Sequence, residues 1–320
     1  MSSTPALPVT AGLDGRRASL AAADWAAREA LRREVPLRLV HAWEQPVVPL
    51  ASLAQAAVPP DPERSASLLA GARAYLTRRH PGLDVTADRL TGDPVAALVA
   101  AADESGPLVL GSRGLGRTAG FLLGSVARSV VARAARPVVL VRSPEPAADG
   151  DTSGGASDGA DPRAGRGSGA GDAPGDVVVG LDLDGPDDAV LAYAFEAAAL
   201  RGTGLRVVHG HGPVDGEGTG TVGPADGLAD GDALAERAVP AEGPLAQALR
   251  PWQEKFPGVP VTAQAAIGQA GSHLAEASRD AGLLVVGRAA RHAPVGALIG
   301  PVTDAVLRHA LSPVAVVPHD

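Results

Sequence analysis

Along both ends of the chain, short apolar runs alternate with longer stretches of helical period. Pro8–Leu13 reads as a strand, and Arg17–Glu34 as a helix with Leu20, Trp25, Ala27 and Leu31 on one face. Leu37–His41 is the next strand, and Pro62–Arg79 a second helix stopped by His80-Pro81-Gly82. Asp84–Leu90 alternates like a strand, and Pro94–Glu104 is helical with proline in its first turn. Leu108–Leu110 is a short buried strand, Gly124–Ala135 a helix and Val138–Val141 a last strand. Five strands interleaved with four helices imply a parallel, doubly wound sheet. Such sheets bind ligands beyond the carboxyl ends of their strands, where the strand order switches.

The pattern then lapses and returns. Ser143 to Gly175 is almost wholly Gly, Ala, Ser, Asp and Pro, which cannot bury enough surface to offset its ordering entropy. Beyond it the landmarks repeat. Gly12, Asp14 and His41 find counterparts 168 residues on at Gly180, Asp182 and His209. Gly111, Gly124 and Pro137 find theirs 176 residues on at Gly287, Gly300 and Pro313. A repeat of this length is a duplicated domain rather than a solenoid unit. The expected division is a first domain over 1–143, a flexible linker over 144–175 and a second domain over 176–320. In the second, Gly/Asp/Thr-rich sequence between His211 and Asp232 predicts a long mobile loop, and Pro240, Gly243 and Pro244 predict a broken second helix.

At 320 residues the chain suits two domains. Aromatics are 2% against 45% hydrophobic residues overall, so the cores must be Ala, Val and Leu. A net charge of −8 argues against a nucleic-acid footprint or a polybasic membrane surface. Without cysteine there is no disulfide, thiolate catalysis or Cys-ligated zinc. No window approaches the ~20 uninterrupted apolar residues of a membrane span, and a cytoplasmic protein is expected.

The chemistry concentrates in one stretch: Gly111-Ser112-Arg113-Gly114, nine residues, then Gly124-Ser125-Val126. Gly111 is expected to end a strand where backbone approaches a ligand, and Gly114 to suit a turn of positive φ. Gly124 and Ser125 open a helix whose free N–H groups and dipole offer an anion site. Arg113 and Arg117 add positive charge nearby. With an aspartate closing the first strand, this pattern resembles the ATP-binding motif of the universal stress protein family, here in tandem. The likeness covers both halves and leaves out the linker.

The resemblance implies two Rossmann-like α/β domains, each a doubly wound, parallel five-stranded sheet of the adenine nucleotide alpha hydrolase-like kind. It implies ATP as ligand, with or without Mg²⁺. Gly12, Leu13, Asp14 and Ala42 would line the adenine and ribose pocket. Gly111, Ser112, Arg113 and Gly114 would wrap the ribose and phosphates, and Gly124, Ser125 and Val126 would hold the phosphate tail. The second half departs from the motif. Ala290 stands for the second glycine and Pro301 for the serine, which costs an N–H and a hydroxyl. A degenerate second site is expected.

Catalytic alternatives find little support. The phosphate-binding pattern Gly-x4-Gly-Lys is absent, and the only lysine, Lys255, lies far from any glycine loop. His209-Gly-His211-Gly invites comparison with nucleotidylyltransferases but follows the wrong strand. His41 and His209 read as strand-end histidines with a local hydrogen bond. The acidic clusters Asp182/Asp184 and Asp187/Asp188 read as a solvated turn and a helix N-terminus. What remains is a nucleotide-dependent sensor, a slow ATP hydrolase using Asp14 or a bound Mg²⁺, or a ligand-free interaction module. By the same resemblance, Pro137–Arg142 and Pro313–Pro318 should meet inside the chain as paired edge strands, giving a pseudo-dimeric monomer or a dimer of such pairs.

Overall fold

The computed structural model describes residues 6–43, 62–114, 121–122, 124–142, 175–182, 187–211, 243–267, 270–289 and 299–319. The expectations for the linker up to residue 174, the loop after His211, Pro240, Arg117, Asp184 and Ala290 lie outside them. The first half runs β1 (Val9–Gly12), α1 (Arg17–Arg33), β2 (Leu37–Trp43), α2 (Pro62–Arg79), β3 (Val85–Thr91), α3 (Pro94–Asp103), β4 (Leu108–Gly114), β5 (Phe121–Leu122), α4 (Ser125–Arg133) and β6 (Val138–Arg142). The second runs β7 (Val177–Leu181), α5 (Asp188–Arg201), β8 (Leu205–His211), α6 (Pro244–Lys255), β9 (Val261–Ile267), α7 (Ala270–Ala277), β10 (Leu283–Ala289), α8 (Pro301–His309) and β11 (Val314–His319). The fold class is α/β, two repeats of one doubly wound unit.

Ten strands form one continuous sheet in the order β3-β2-β1-β4-β6-β11-β10-β7-β8-β9. Pairing is parallel within each half. The halves join by antiparallel pairing of their last strands, with Val314 opposite Leu140 and Val316 opposite Val138. Each apolar edge thereby satisfies the other's ladder of N–H and C=O groups, as the resemblance implies.

Strand side chains alternate between the two faces. Val139 and Val141 belong to a core covered by α1, α2, α5 and α6, while Val138 and Leu140 belong to one covered by α3, α4, α7 and α8. The second half's helix over the first core begins at Pro244, behind Gly243 at φ 71°, so these two residues start a twelve-residue helix rather than interrupt one; Pro251 lies within it.

Two expectations need correction. In α1, Leu20 and Leu31 are 37% and 43% exposed; the buried stripe is Ala18, Ala22, Ala26 and Ala30, with Trp25. At its first turn the helix lies close against β4. A Cβ on Gly111 would stand 2.5 Å from the Ala18 carbonyl group and 2.7 Å from the Ser19 nitrogen. Gly111 therefore lacks a side chain to admit this helix, not only a ligand. Nor does its strand end there. β4 continues to Gly114 because β5 pairs antiparallel with it, Arg113 opposite Leu122 and Gly114 opposite Phe121.

The duplication persists in side-chain chemistry. Arg38 bonds Glu104 at 2.7 Å, and its counterpart Arg206 bonds Asp280 at 2.8 Å. Across the junction, Arg128 of α4 and Asp304 of α8, positions 176 apart, meet at 2.9 Å. Among the described residues, no helix is long and apolar enough to cross a membrane.

Candidate functional site

The strand order reverses between β1 and β4, and a cleft of about 360 Å³ opens beyond their carboxyl ends. Of the residues singled out in the first half, Gly12, Leu13, Asp14, Ala42, Gly111, Gly124, Ser125 and Val126 line it. They come from four separate segments, the ends of β1 and β2, the middle of β4 and the start of α4, brought together only by the sheet order.

Ser112 lies elsewhere. It is 1% exposed, and its hydroxyl donates to the Val141 carbonyl at 3.3 Å, tying β4 to β6. Arg113 and Gly114 lie on the extension of β4 that pairs with β5.

Each wall has a local cause. After β1 the chain turns through Gly15 at φ 82° into α1. The Asp14 carboxylate accepts from the Arg16 N–H at 3.0 Å and faces the Arg16 guanidinium at 3.4 Å. Ser19 Oγ donates to the Arg16 carbonyl at 2.9 Å and accepts from the Asp14 N–H at 3.2 Å. His41 closes the side toward β2, its Nδ1 lying 2.7 Å from the Leu13 carbonyl. A carbonyl only accepts, so Nδ1 carries the proton, and in the neutral ring Nε2 is an acceptor. The local hydrogen bond read from the sequence for His41 is present.

Opposite stands α4. Gly124 is its N-cap, at φ −60° and ψ 151°, and makes no side-chain capping bond. Ser125 follows as the first helical residue and is exposed. The first-turn N–H groups thus end at the cleft without a side-chain acceptor from Gly124, which is how a helix presents an anion site. Pro94, Leu98 and Leu110 add an apolar wall. The cleft thus combines an apolar wall, backbone polar groups at a turn and a helix N-terminus that can receive an anion.

Arg16, Ser19, His41, Pro94, Leu98 and Ala127 line the cleft without having been singled out for it. Ser19 carried a faint signal, being a small polar residue five positions after Asp14 at a helix start. Leu98 carried none, since an apolar residue in a helix reads as core.

In the second half, Gly300 caps α8 at φ −61° and ψ 158°, matching Gly124, and Pro301 takes the first helical position. Asp187 caps α5, accepting from the Ala189 N–H at 2.7 Å, as expected for a helix N-terminus. Among the described residues no group of three or more His, Asp or Glu is placed to hold a metal ion.

The profile of the Universal stress protein family matches residues 7–142 and again 175–318. The chain is similar to universal stress protein Rv2005c of Mycobacterium tuberculosis, 32% identical with 96% of each chain covered. It is also similar to universal stress protein Rv2623 of the same organism, 29% identical over 98% of this chain and 97% of that one. Among solved structures, a universal stress protein from Archaeoglobus fulgidus covers 98% of both chains with a TM-score of 0.62, at 16% identity, a likeness of fold.

Proposed function

This chain belongs to the universal stress protein family, and from that premise we propose that its first half binds ATP and that the protein acts as a nucleotide-dependent regulator with little turnover. The observation that carries the reading is the convergence of eight motif residues from four segments on one cleft at the sheet's switch point. In this reading the base lies against Leu13, Ala42 and the apolar wall, the ribose beside Asp14, and the phosphates at the Gly124–Ser125 start of α4.

A bound Mg²⁺ would neutralise phosphate charge, with Asp14 as the nearest carboxylate among the cleft residues. Catalysis is not favoured by this chain's own residues. Asp14 is engaged by the Arg16 N–H and guanidinium, and the cleft holds no lysine to stabilise charge developing at a γ-phosphate. The second half is proposed to bind weakly or not at all, because Pro301 removes an N–H from the helix start. The domain limits 1–143 and 176–320, with a linker between, remain part of this proposal, as does a cytoplasmic setting.

Calorimetric titration of the full chain with ATP, with and without Mg²⁺, followed by a phosphate-release assay, tests the reading. One site per chain with negligible release is expected. Steady turnover would move the assignment to a slow hydrolase, and no binding would leave a fold used for contacts alone.

A further inference from the structure

The turn after the first strand of the first half is fastened through one side chain. In the first half Ser19 Oγ donates to the Arg16 carbonyl and accepts from the Asp14 N–H. A hydroxyl can do both at once. Ser19 is 3% exposed yet lines the cleft, and its own nitrogen is one of the atoms that Gly111 must leave room for. The strand turn, α1 and β4 therefore meet at this residue, the hydroxyl joining the turn and the backbone nitrogen facing Gly111, while the Asp14 carboxylate is held by Arg16.

The offset of 168 that relates Asp14 to Asp182 puts Asp187 in the place of Ser19. A carboxylate accepts but cannot donate, so it cannot join a carbonyl to an N–H. Asp187 does other work. One oxygen caps α5 at the Ala189 N–H, and the other lies 3.5 Å from His319 Nδ1. The His319 ring in turn covers Gly287, the counterpart of Gly111, with Nε2 2.8 Å from where a Cβ would stand. At this level of the second half, an acidic group and an imidazole stand beside Gly287.

We propose that Ser19 is a positioning residue for the nucleotide of the first half, and that serine or aspartate at this position helps decide which half binds. This rests on the nucleotide-binding reading above. Ser19 sets the Asp14 turn in the shape that the base and ribose need. Aspartate would release the Arg16 carbonyl and bring a negative charge toward the phosphates.

The test is titration of the full chain with ATP and, separately, adenosine, in the unaltered protein and in Ser19→Ala and Ser19→Asp. Loss of two modest hydrogen bonds predicts about three- to tenfold weaker binding of both ligands by Ser19→Ala. Ser19→Asp should lose more for ATP than for adenosine, because only ATP brings the like charge. Its melting temperature should hold, since an acidic side chain in the first turn of α1 lies at the positive end of the helix dipole. Unchanged ATP affinity in both variants overturns the proposal. So does a loss of affinity in Ser19→Asp that is equal for the two ligands and matched by a fall in melting temperature. Absence of binding by the unaltered protein overturns the nucleotide reading itself, and this inference with it.

Discussion

Arg201, the last residue of α5 in the second half, donates to Glu29, buried inside the first half, with Nη2 2.7 Å from Oε2. Arg33 holds the other oxygen of Glu29, also at 2.7 Å, and bonds Glu196 of the second half at 2.8 Å. The two arginines are counterparts, 168 positions apart, and so are Trp25 and Tyr193. Each arginine covers the aromatic ring of the opposite half: Arg33 lies 5.6 Å from the Tyr193 centroid and Arg201 5.7 Å from that of Trp25. The exchange is symmetric, but the carboxylate between the arginines is single, because the counterpart of Glu29 is Ala197.

Glu29 is 0% exposed, so removing it leaves two largely buried guanidinium groups short of their partner. Glu29→Ala is expected to cost about 3–5 kcal/mol in urea unfolding. Because the contact spans the halves, it should also separate their unfolding. Fluorescence of Trp252 in a Trp25→Phe/Trp43→Phe background, against that of Trp25 and Trp43 in a Trp252→Phe background, checks this; a single unshifted transition would count against the lock.

Burial, and then the charge of Glu29, push the Tyr193 phenol up to about 12. The fold therefore accommodates the neutral form. Its contribution is whole below about pH 10, the ordinary tyrosine value, and disappears as pH rises through about 12. Tyr193→Phe should flatten the alkaline loss of stability over that window. In a Tyr75→Phe background Tyr193 is the sole tyrosine, and its absorbance should not shift to that of tyrosinate until the upper end.

Burial works to raise the Asp24 carboxyl, but a hydrogen bond from His80 and the charges of Arg28 and Arg79 overcome it and hold the group below its ordinary value. The ionised form is thus preferred in the fold. Its contribution is present above the ordinary carboxylate range and is lost as pH falls through the depressed value. Asp24→Asn should destabilise by about 1–3 kcal/mol at neutral pH, with the difference from the unaltered protein shrinking in acid.

Gly111→Ala must push α1 off the sheet, because its Cβ meets backbone rather than a side chain that could turn aside. A cost of about 1–3 kcal/mol is expected, together with weaker ATP binding, since the first turn of α1 lines the cleft. Gly114→Ala combined with Ser125→Ala should instead abolish binding with the melting temperature unchanged. Unchanged affinity in that double variant would remove the loop from the site.

The parts of the cleft lay in plain view in the sequence as landmarks kept in order and spacing across two halves. Gly12, Asp14, Gly111 and Gly124 were legible because backbone approach and helix starts demand particular residue types at fixed positions. Ser19 and His41 were not, since a serine near a helix start and a histidine at a strand end satisfy many local needs. The extension of β4 was hidden because a glycine-rich segment reads as a turn until a partner strand pairs with it.

The sequence by itself determined the alternation of strand and helix, the duplication and the apolar last strands that had to find a partner. Those features follow from period, propensity and the cost of an unpaired edge, all local to a few residues. Only the tertiary structure decided which helix face is buried and which charges are shared. Leu20 and Leu31 looked like core until α1 was seen to turn Ala18, Ala22, Ala26 and Ala30 to the sheet, its first turn close over Gly111. Glu29 looked like one more charge on a helix until Arg201, 172 residues away in the chain, was brought within 2.7 Å of it. Burial and pairing at that separation depend on how two sheets join, and no periodicity within either half encodes that.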